Sequence, residues 1–215
     1  MAGCSKNAMV YLYALDVMTL DHDLDAYRDV IPESRLEQLR KRPPADQLRG
    51  LGAELLFQRA VWRHNRDLPL PAVRESDSYG KPYLPARPDF YFNLSHSGQW
   101  AVCAVADVPV GVDIQQTRAV SMALEKKFTA AEQAELNALP ALQRADRFFQ
   151  LWVLKEAYAK CTGTGLLCPF RSFEAVSPAP GYSAGLVEFS FGNYHLAVCV
   201  QAEELPDVRF MIMPV

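Results

Sequence analysis

A chain of 215 residues, half of them hydrophobic and with mean hydropathy near zero, can bury an ample core as one large domain or two small ones. Its 22 Lys and Arg against 25 Asp and Glu give a formal net charge of −3. That balance speaks against a general nucleic-acid binder, which carries a broad basic excess, and no stretch approaches the ~20 apolar residues of a membrane span. The five cysteines, Cys4, Cys103, Cys161, Cys168 and Cys199, form neither a CxxC pair nor a Cys/His cluster at zinc spacing. Cys103 and Cys199 follow Ala-Val in apolar runs, as small buried thiols do. The opening MAGCSKNAMVYLYALDV lacks a basic segment leading into a long apolar one, so no signal peptide is expected, and the cysteine usage points to the cytoplasm.

Met9 to Val17 reads as a first strand. Ile31 to Arg42 reads as a helix, with Pro32 near its start and Leu36 and Leu39 on one side. Pro43-Pro44 ends it, and a longer helix follows from Ala45 to Asn65. Proline-rich turns cover residues 69–89. Phe90 to Phe92 and Trp100 to Ala106 then read as a strand pair around an Asn93–Gly98 loop, and Val110 to Ile114 as another strand. Thr129-Ala130-Ala131-Glu132 is a capping-box pattern opening a helix that runs to Ala138. The longest helical pattern follows, from Leu142 to Cys161, stopped at Gly163-Thr164-Gly165. The tail is β-rich, with strands expected at Ser172–Val176, Leu186–Phe191, His195–Gln201 and Val208–Met213.

An internal echo links two stretches. Phe90-Tyr91-Phe92, a loop and Trp100–Val105 resemble Glu188–Phe191, a loop and Leu196–Val200. Alternating apolar strands also look alike by chance. A duplicated α+β unit would place a ligand in the cleft between its copies.

Residues 92–160 gather polar groups suited to a phosphate ester and a divalent cation. Trp152, Glu156 and Lys160 fall at i, i+4 and i+8 on one helix face, with Lys155 beside Glu156 on the flank. On a lone helix this is a solvated Glu–Lys pair worth ~0.2–0.5 kcal/mol above a buried Trp. Asp113 ends a Val-rich strand behind Gly111, with no basic residue nearby in sequence before Arg118, and burying it requires a cation. As a turn residue it would simply cap the next segment. Asp113 and Glu156 brought together would repel each other unless a metal lay between them, and hard carboxylates with phosphate oxygens are what Mg²⁺ prefers. Ser95 and His96, adjacent in a polar segment, make a poor nucleophile–base pair but suitable phosphate donors. Gly80-Lys81-Pro82 projects one lysine from a rigid turn, and Arg49 opens the apolar part of its helix in a basic stretch that also holds Arg35, Arg40, Lys41 and Arg42.

The ordered set Gly80-Lys81-Pro82, Phe92-Asn93-Leu94-Ser95-His96-Ser97, Gly111-Val112-Asp113, Phe128-Thr129-x-x-Glu132, Trp152-x-x-Lys155-Glu156-x-x-x-Lys160 and Gly163-x-Gly165-Leu166 resembles the signatures of the surfactin-type 4′-phosphopantetheinyl transferases. The match runs from Arg35 to Leu166 in the right order with similar gaps. It implies an α+β fold of two similar halves, residues 1–106 and 107–215, related by a pseudo-twofold axis with the active site in the cleft between them. It implies transfer of the 4′-phosphopantetheine of coenzyme A to a serine of an apo-acyl or peptidyl carrier protein, with Mg²⁺ as cofactor and 3′,5′-ADP released. By motif position, Asp113 and Glu156 would bind the metal. Lys160 would contact the pyrophosphate, and Ser95, His96, Arg49 and Arg35 the nucleotide phosphates. Lys81 would lie against the adenine and the nearby phosphate. One departure stands out: where many members carry a second acidic ligand, this chain has Gln115. Its neutral amide lowers the negative charge of the site, so catalysis with a weaker or altered metal requirement is expected. Glu156, directly or through water, is the candidate base for the carrier hydroxyl.

Duplication within one chain points to a monomer, since the second half supplies the partner surface, and charge and hydropathy leave nucleic acid and membrane out of the expected partners. The resemblance implies a carrier docking beside the cleft, for which Ser121–Lys127 is a candidate rim. Two other classes fit the same residues. One is a binder of coenzyme A or carrier without turnover, which Gln115 favours, and the other is a Mg²⁺-dependent phosphoesterase.

Overall fold

The computed structural model describes residues 8–120, 122–165, 168–175, 185–202 and 205–214. Strand β1 (Met9–Asp16) is followed by two short 3₁₀ turns, helix α1 (Glu33–Arg40) and the long helix α2 (Pro44–His64). Two short strands, β2 (Glu75–Ser76) and β3 (Pro82–Tyr83), pair within the proline-rich segment. Then come β4 (Tyr91–Ser97), β5 (Trp100–Ala106), β6 (Val110–Gln116), helices α3 (Met122–Glu125), α4 (Ala130–Ala138) and α5 (Ala141–Thr162), and strands β7 (Gly185–Phe191), β8 (Tyr194–Val200) and β9 (Asp207–Ile212). The fold is mixed α+β. No helix among the described residues is long and apolar enough to cross a membrane.

The strands form a four-stranded sheet ordered β4-β5-β1-β9 and a three-stranded sheet ordered β6-β8-β7. All their pairs are antiparallel except β1–β9, so the C-terminal strand returns to run beside the first. Helices α1 and α2 cover one face of the larger sheet through Leu36, Leu39, Leu51, Leu56 and Phe57, which meet Tyr13, Leu15 and Phe92. Helix α5 covers one face of the smaller sheet through Phe148, Leu151 and Ala157 against Ala197 and Cys199. The remaining faces meet each other across Val10, Leu12, Val102, Val112, Ile114, Leu196 and Val198. The order of layers is therefore helix, sheet, sheet, helix.

The two echoed stretches are β-hairpins of one design. Ser97 pairs Trp100 across Gly98-Gln99, and Phe191 pairs Tyr194 across Gly192-Asn193. Each loop opens on a glycine at positive φ, 57° and 58°, which a two-residue hairpin accepts readily only from glycine, Asn or Asp.

Helix termini follow their sequence signals. Thr129 Oγ1 accepts from the Glu132 amide while the Glu132 carboxylate accepts from the Thr129 amide, the reciprocal box expected at the start of α4. Gly163 ends α5 in the left-handed region. Two expectations need correcting. Residues 93–97 are strand rather than loop, because their polar side chains have partners on a neighbouring strand. No strand forms over 172–175: a 3₁₀ turn covers Phe170–Ser172, and Val176 lies outside the described residues, as do Cys4, Ser121 and Leu166.

Candidate active site

The two sheets join at a seam between β4 and β6. Outer amides of β6 at Val112, Ile114 and Gln116 donate to Asn93 Oδ1, Ser95 Oγ and Ser97 Oγ at 3.1, 3.3 and 3.0 Å. Alternate residues of a strand share a face, so one row of small polar side chains caps the edge of the other sheet. All three are buried, which explains polar residues inside a strand. Leu94 and His96, in the alternate register, line a cleft of 570 Å³. A hollow of 610 Å³ on the opposite face of α2 is larger but mainly apolar, and the chemistry-bearing side chains converge on the smaller space.

One wall of the cleft is built by β6 and α5. Their backbones touch at Gly111, where a Cβ would lie 2.1 Å from the Ala157 carbonyl oxygen and 2.3 Å from the Cys161 amide nitrogen. That approach brings Lys160 over the strand. Its ammonium donates to Asp113 Oδ1 at 2.7 Å, to the Val112 carbonyl at 3.0 Å and to Ser95 Oγ at 3.1 Å. Asp113 is buried, accepting also from the Ser95 hydroxyl at 2.7 Å and from Gln115 Nε2 at 3.2 Å. The cation that a buried Asp113 requires is therefore Lys160, 47 residues away in sequence. Glu156, one turn earlier on α5, also lines the cleft. Burial, and then the charge of Asp113, push its carboxyl above the ordinary range, against the pull of Lys160 and Lys127.

The opposite wall is basic. Arg35 of α1, Arg42, and Arg74 from the segment before β2 line it with Gly50 and Ala53 of α2. Gly50 leaves room for Leu39, whose Cδ2 would be 2.5 Å from a Cβ there. Beneath the arginines lies Glu54, fully buried, accepting at Oε2 from Arg35 and Arg74, both at 3.1 Å. Arg49 pairs with Asp46 and faces the cleft less directly, yet its charge reaches His96. Burial first, then Arg49, Lys160 and Arg42, hold the His96 imidazole below its usual range, so it is presented neutral.

Lys81 is placed beside this cleft, in a 170 Å³ recess shared with Lys160, Asn93 and Gly163. Its ammonium donates to the Cys161 carbonyl at 2.7 Å, a cation on the last turn of α5, where the helix dipole favours it. Burial lowers its pKa. Of the residues expected from sequence, Arg35, Ser95, His96, Asp113, Gln115, Glu156 and Lys160 thus share one cleft, while Lys81 and Arg49 stand at its margins.

Among the described residues no three His, Cys, Asp or Glu side chains converge as a metal cage. The donors present are the Asp113 and Glu156 carboxylates and the Gln115 amide. They are hard oxygens, and the half-buried Glu156 carboxylate, its ionised form disfavoured by burial and by the charge of the buried Asp113, would gain from a cation between the two, so the set fits Mg²⁺ with one anionic donor fewer than a three-carboxylate site.

Lys155 turns inward instead of flanking Glu156 on the surface. It is fully buried, 2.9 Å from Glu132 Oε2, and it donates to the carbonyls of Phe170 and Phe173. The Glu132 carboxylate that closes the capping box also accepts from the Ala175 amide at 2.8 Å. These bonds tie residues 170–175 to α5 and form a side of a 290 Å³ recess containing Lys127, Glu156, Cys168 and Phe170. Lys127 lies 5.4 Å over the Trp152 ring, and the Arg171 guanidinium donates to the Lys126 carbonyl. Sequence reasoning missed Glu54 and Arg74. A single acid within the apolar run Leu51–Val61 was the available signal for Glu54; Arg74, in a proline-rich turn, offered none.

Comparison with known proteins identifies the family. The model of the 4′-phosphopantetheinyl transferase superfamily matches residues 109–199. A 4′-phosphopantetheinyl transferase of Bacillus subtilis is 45% identical over 143 residues, 60% of this chain and 63% of that protein. The 4′-phosphopantetheinyl transferase psf-1 of Bacillus pumilus is 32% identical over 88% of this chain and 89% of its own length. The 4′-phosphopantetheinyl transferase Sfp of Bacillus subtilis strain 168 is 36% identical over 85% and 87%. The chain belongs to the 4′-phosphopantetheinyl transferase superfamily, among its surfactin-type members.

Proposed function

We propose that this protein transfers the 4′-phosphopantetheine of coenzyme A to a serine of an apo-acyl or peptidyl carrier protein, releasing 3′,5′-ADP. The observation that carries the reading is one cleft with an acidic wall, Asp113 and Glu156 around Lys160, facing a basic wall of Arg35, Arg42 and Arg74. A coenzyme A molecule needs both: cations for its phosphates, and a carboxylate beside the reacting phosphorus. The carrier serine oxygen bonds to the β-phosphorus, the phosphoanhydride P–O bond breaks, and its electron pair leaves with 3′,5′-ADP. Glu156, lining the cleft beside Lys160, takes the serine proton, directly or through water. Lys160 is already fixed by Asp113, Ser95 and the Val112 carbonyl, so its charge faces the pyrophosphate without a search over rotamers. Mg²⁺, held by Asp113 and Glu156 with Gln115 beside them, would neutralise charge on the pyrophosphate. Ser95 acts through Asp113 and Lys160, since its hydroxyl is committed to both.

The chain divides into halves at residues 1–106 and 107–215 around a pseudo-twofold axis, with β9 lent back to the first sheet. The matching glycine hairpins and the helix-sheet-sheet-helix order support that division. It works in the cytoplasm as a monomer, and the carrier docks against the rim at residues 121–127.

The test is to mix the protein with coenzyme A, Mg²⁺ and an apo-carrier and weigh the carrier by mass spectrometry. A phosphopantetheine-sized gain is expected. Tight coenzyme A binding without any gain would mean a binder, and phosphate release without carrier a phosphoesterase. Either result overturns the proposal.

A further inference from the structure

Behind α2, away from the cleft, lies the hollow of 610 Å³, inside the range of about 300–1,000 Å³ that ligand sites occupy. Its apolar lining includes Leu15 of β1, Leu55 and Trp62 of α2, Val30, Leu70 and Met213. Three of these large side chains are left in water: Trp62 is 52% exposed, Val30 47% and Leu70 46%. Apolar residues scattered singly over a surface need no explanation. Three around one concavity form a patch that an apolar body would take out of water. The Arg66 guanidinium lies 5.1 Å over the Trp62 ring, so the exposed indole has a packing partner of its own.

The polar part of the lining has a sign. Gln58 is committed to the Ala72 backbone by two hydrogen bonds, at 2.8 and 2.7 Å, and the Tyr27 hydroxyl accepts from the Asp21 amide at 2.8 Å. What remains is charge. Arg59 and Arg63, one turn apart on α2, both line the hollow, and among the described residues neither forms an ion pair, unlike Arg40 and Arg147 elsewhere on the surface. Asp29, the single acidic residue of the lining, is unpaired as well. Two cations against one anion leave a surplus of one positive charge. The dipole of α2 accounts for Arg63 in its last turn, but not for Arg59 a turn further in.

We propose that this hollow is a second ligand site, separate from the cleft, for an aliphatic carboxylate. The chain lies against Leu55, Trp62 and Leu70, and the carboxylate meets the guanidiniums of Arg59 and Arg63. A guanidinium fork matches a carboxylate with two parallel hydrogen bonds, and a monoanion matches the surplus charge. A neutral alcohol would leave the arginines unmatched, and a cationic amphiphile would be repelled. The walls come from β1, α2, residues 27–30, Leu70 and the chain after β9, which suits one short chain better than a partner's helix. The proposal does not rest on the transfer chemistry.

Calorimetric titration of the full chain with decanoate, decanol and decyltrimethylammonium tests it. Decanoate should bind at one saturable site. Decanol should bind at least ~tenfold more weakly, because a charged hydrogen-bonded contact is lost, and the cation more weakly still. The double variant Arg59→Gln, Arg63→Gln should bring decanoate down to the affinity of decanol and leave decanol unchanged, while Trp62→Ala should weaken both. All three side chains are exposed, and thermal melts confirm that each variant is folded. Arg74→Gln, on the cleft, should bind decanoate as wild type does. Absence of saturable decanoate binding overturns the proposal, as do equal affinities for decanoate and decanol or a double variant that binds decanoate undiminished. Loss of binding in Arg74→Gln would put the carboxylate in the cleft, which overturns it too. If decanoate fails while an acidic amphipathic peptide binds and depends on Arg59 and Arg63, the hollow is a protein-docking surface and the proposal falls.

Discussion

Helices α2 and α5 each lie on an antiparallel sheet, and each buries one ionisable side chain completely, but the two charges are met differently. In α2 the carboxylate of Glu54 faces two arginines, and the surplus positive charge points into the cleft. In α5 the ammonium of Lys155 meets one carboxylate, Glu132, and two backbone carbonyls, and nothing is left over. A closed pair of this kind can only hold structure together. An open one still has affinity to offer a ligand. The charge surplus, rather than burial, is what separates a binding device from a brace.

The sharpest break in that contrast is catalytic. Glu156→Ala removes the carboxylate of the acidic wall that, among the described residues, no lysine neutralises at contact distance. Transfer to the carrier should fall at least ~10³-fold, with a thermal midpoint close to wild type. A fully active Glu156→Ala protein would falsify the assignment. The next effect concerns the brace. Lys155→Met leaves Glu132 buried without its cation and should cost about 3–5 kcal/mol in denaturant unfolding, whereas Arg74→Gln, which leaves Arg35 on Glu54, should cost much less. Equal losses would erase the distinction drawn between the two helices.

Gly111→Ala tests how the acidic wall is assembled. The added methyl would overlap backbone of α5, so a cost of ~1–3 kcal/mol is expected together with loss of transfer, as Lys160 is pushed off Asp113. A stable, active variant would mean that the approach of α5 to β6 is not required. Gln115→Glu restores a third acidic donor and should lower the Mg²⁺ concentration giving half-maximal rate by several-fold. An unaltered Mg²⁺ requirement would remove Gln115 from the metal site.

The smallest effect is a pH dependence. Burial and Asp113 raise the Glu156 carboxyl above its ordinary 4.5. Its contribution to stability is therefore complete below that value and is lost as pH rises through the raised one. Glu156→Gln cannot ionise, so in chelator its thermal midpoint should overtake that of wild type as pH goes from acid to neutral. A constant difference at all pH would show that burial does not disfavour the ionised form.

The helices were legible because their apolar spacing, capping box and terminal glycines are local signals: α2 and α5 begin and end within a residue or two of where Pro44, Ala45, Pro140 and Gly163 place them. The stretch 93–97 was misread for a physical reason. Asn, Ser and Ser look like loop formers until an unpaired strand edge stands opposite to bond them. Lys155 was misplaced on the flank because helical geometry alone cannot say that Glu132, on another helix, and two carbonyls wait beneath it.

From its sequence alone this protein was determined to be an α+β chain with an ordered set of acidic, basic and hydroxyl groups at family spacing, since those features repeat over a few residues or survive as motifs. Partners were decided only by tertiary structure: Lys160 for Asp113 across 47 positions, Arg35 and Arg74 for Glu54 across 19 and 20. Such pairs are chosen by which elements pack at which distance and by the cost of burying a charge without its complement, and neither quantity is written in any local stretch of chain.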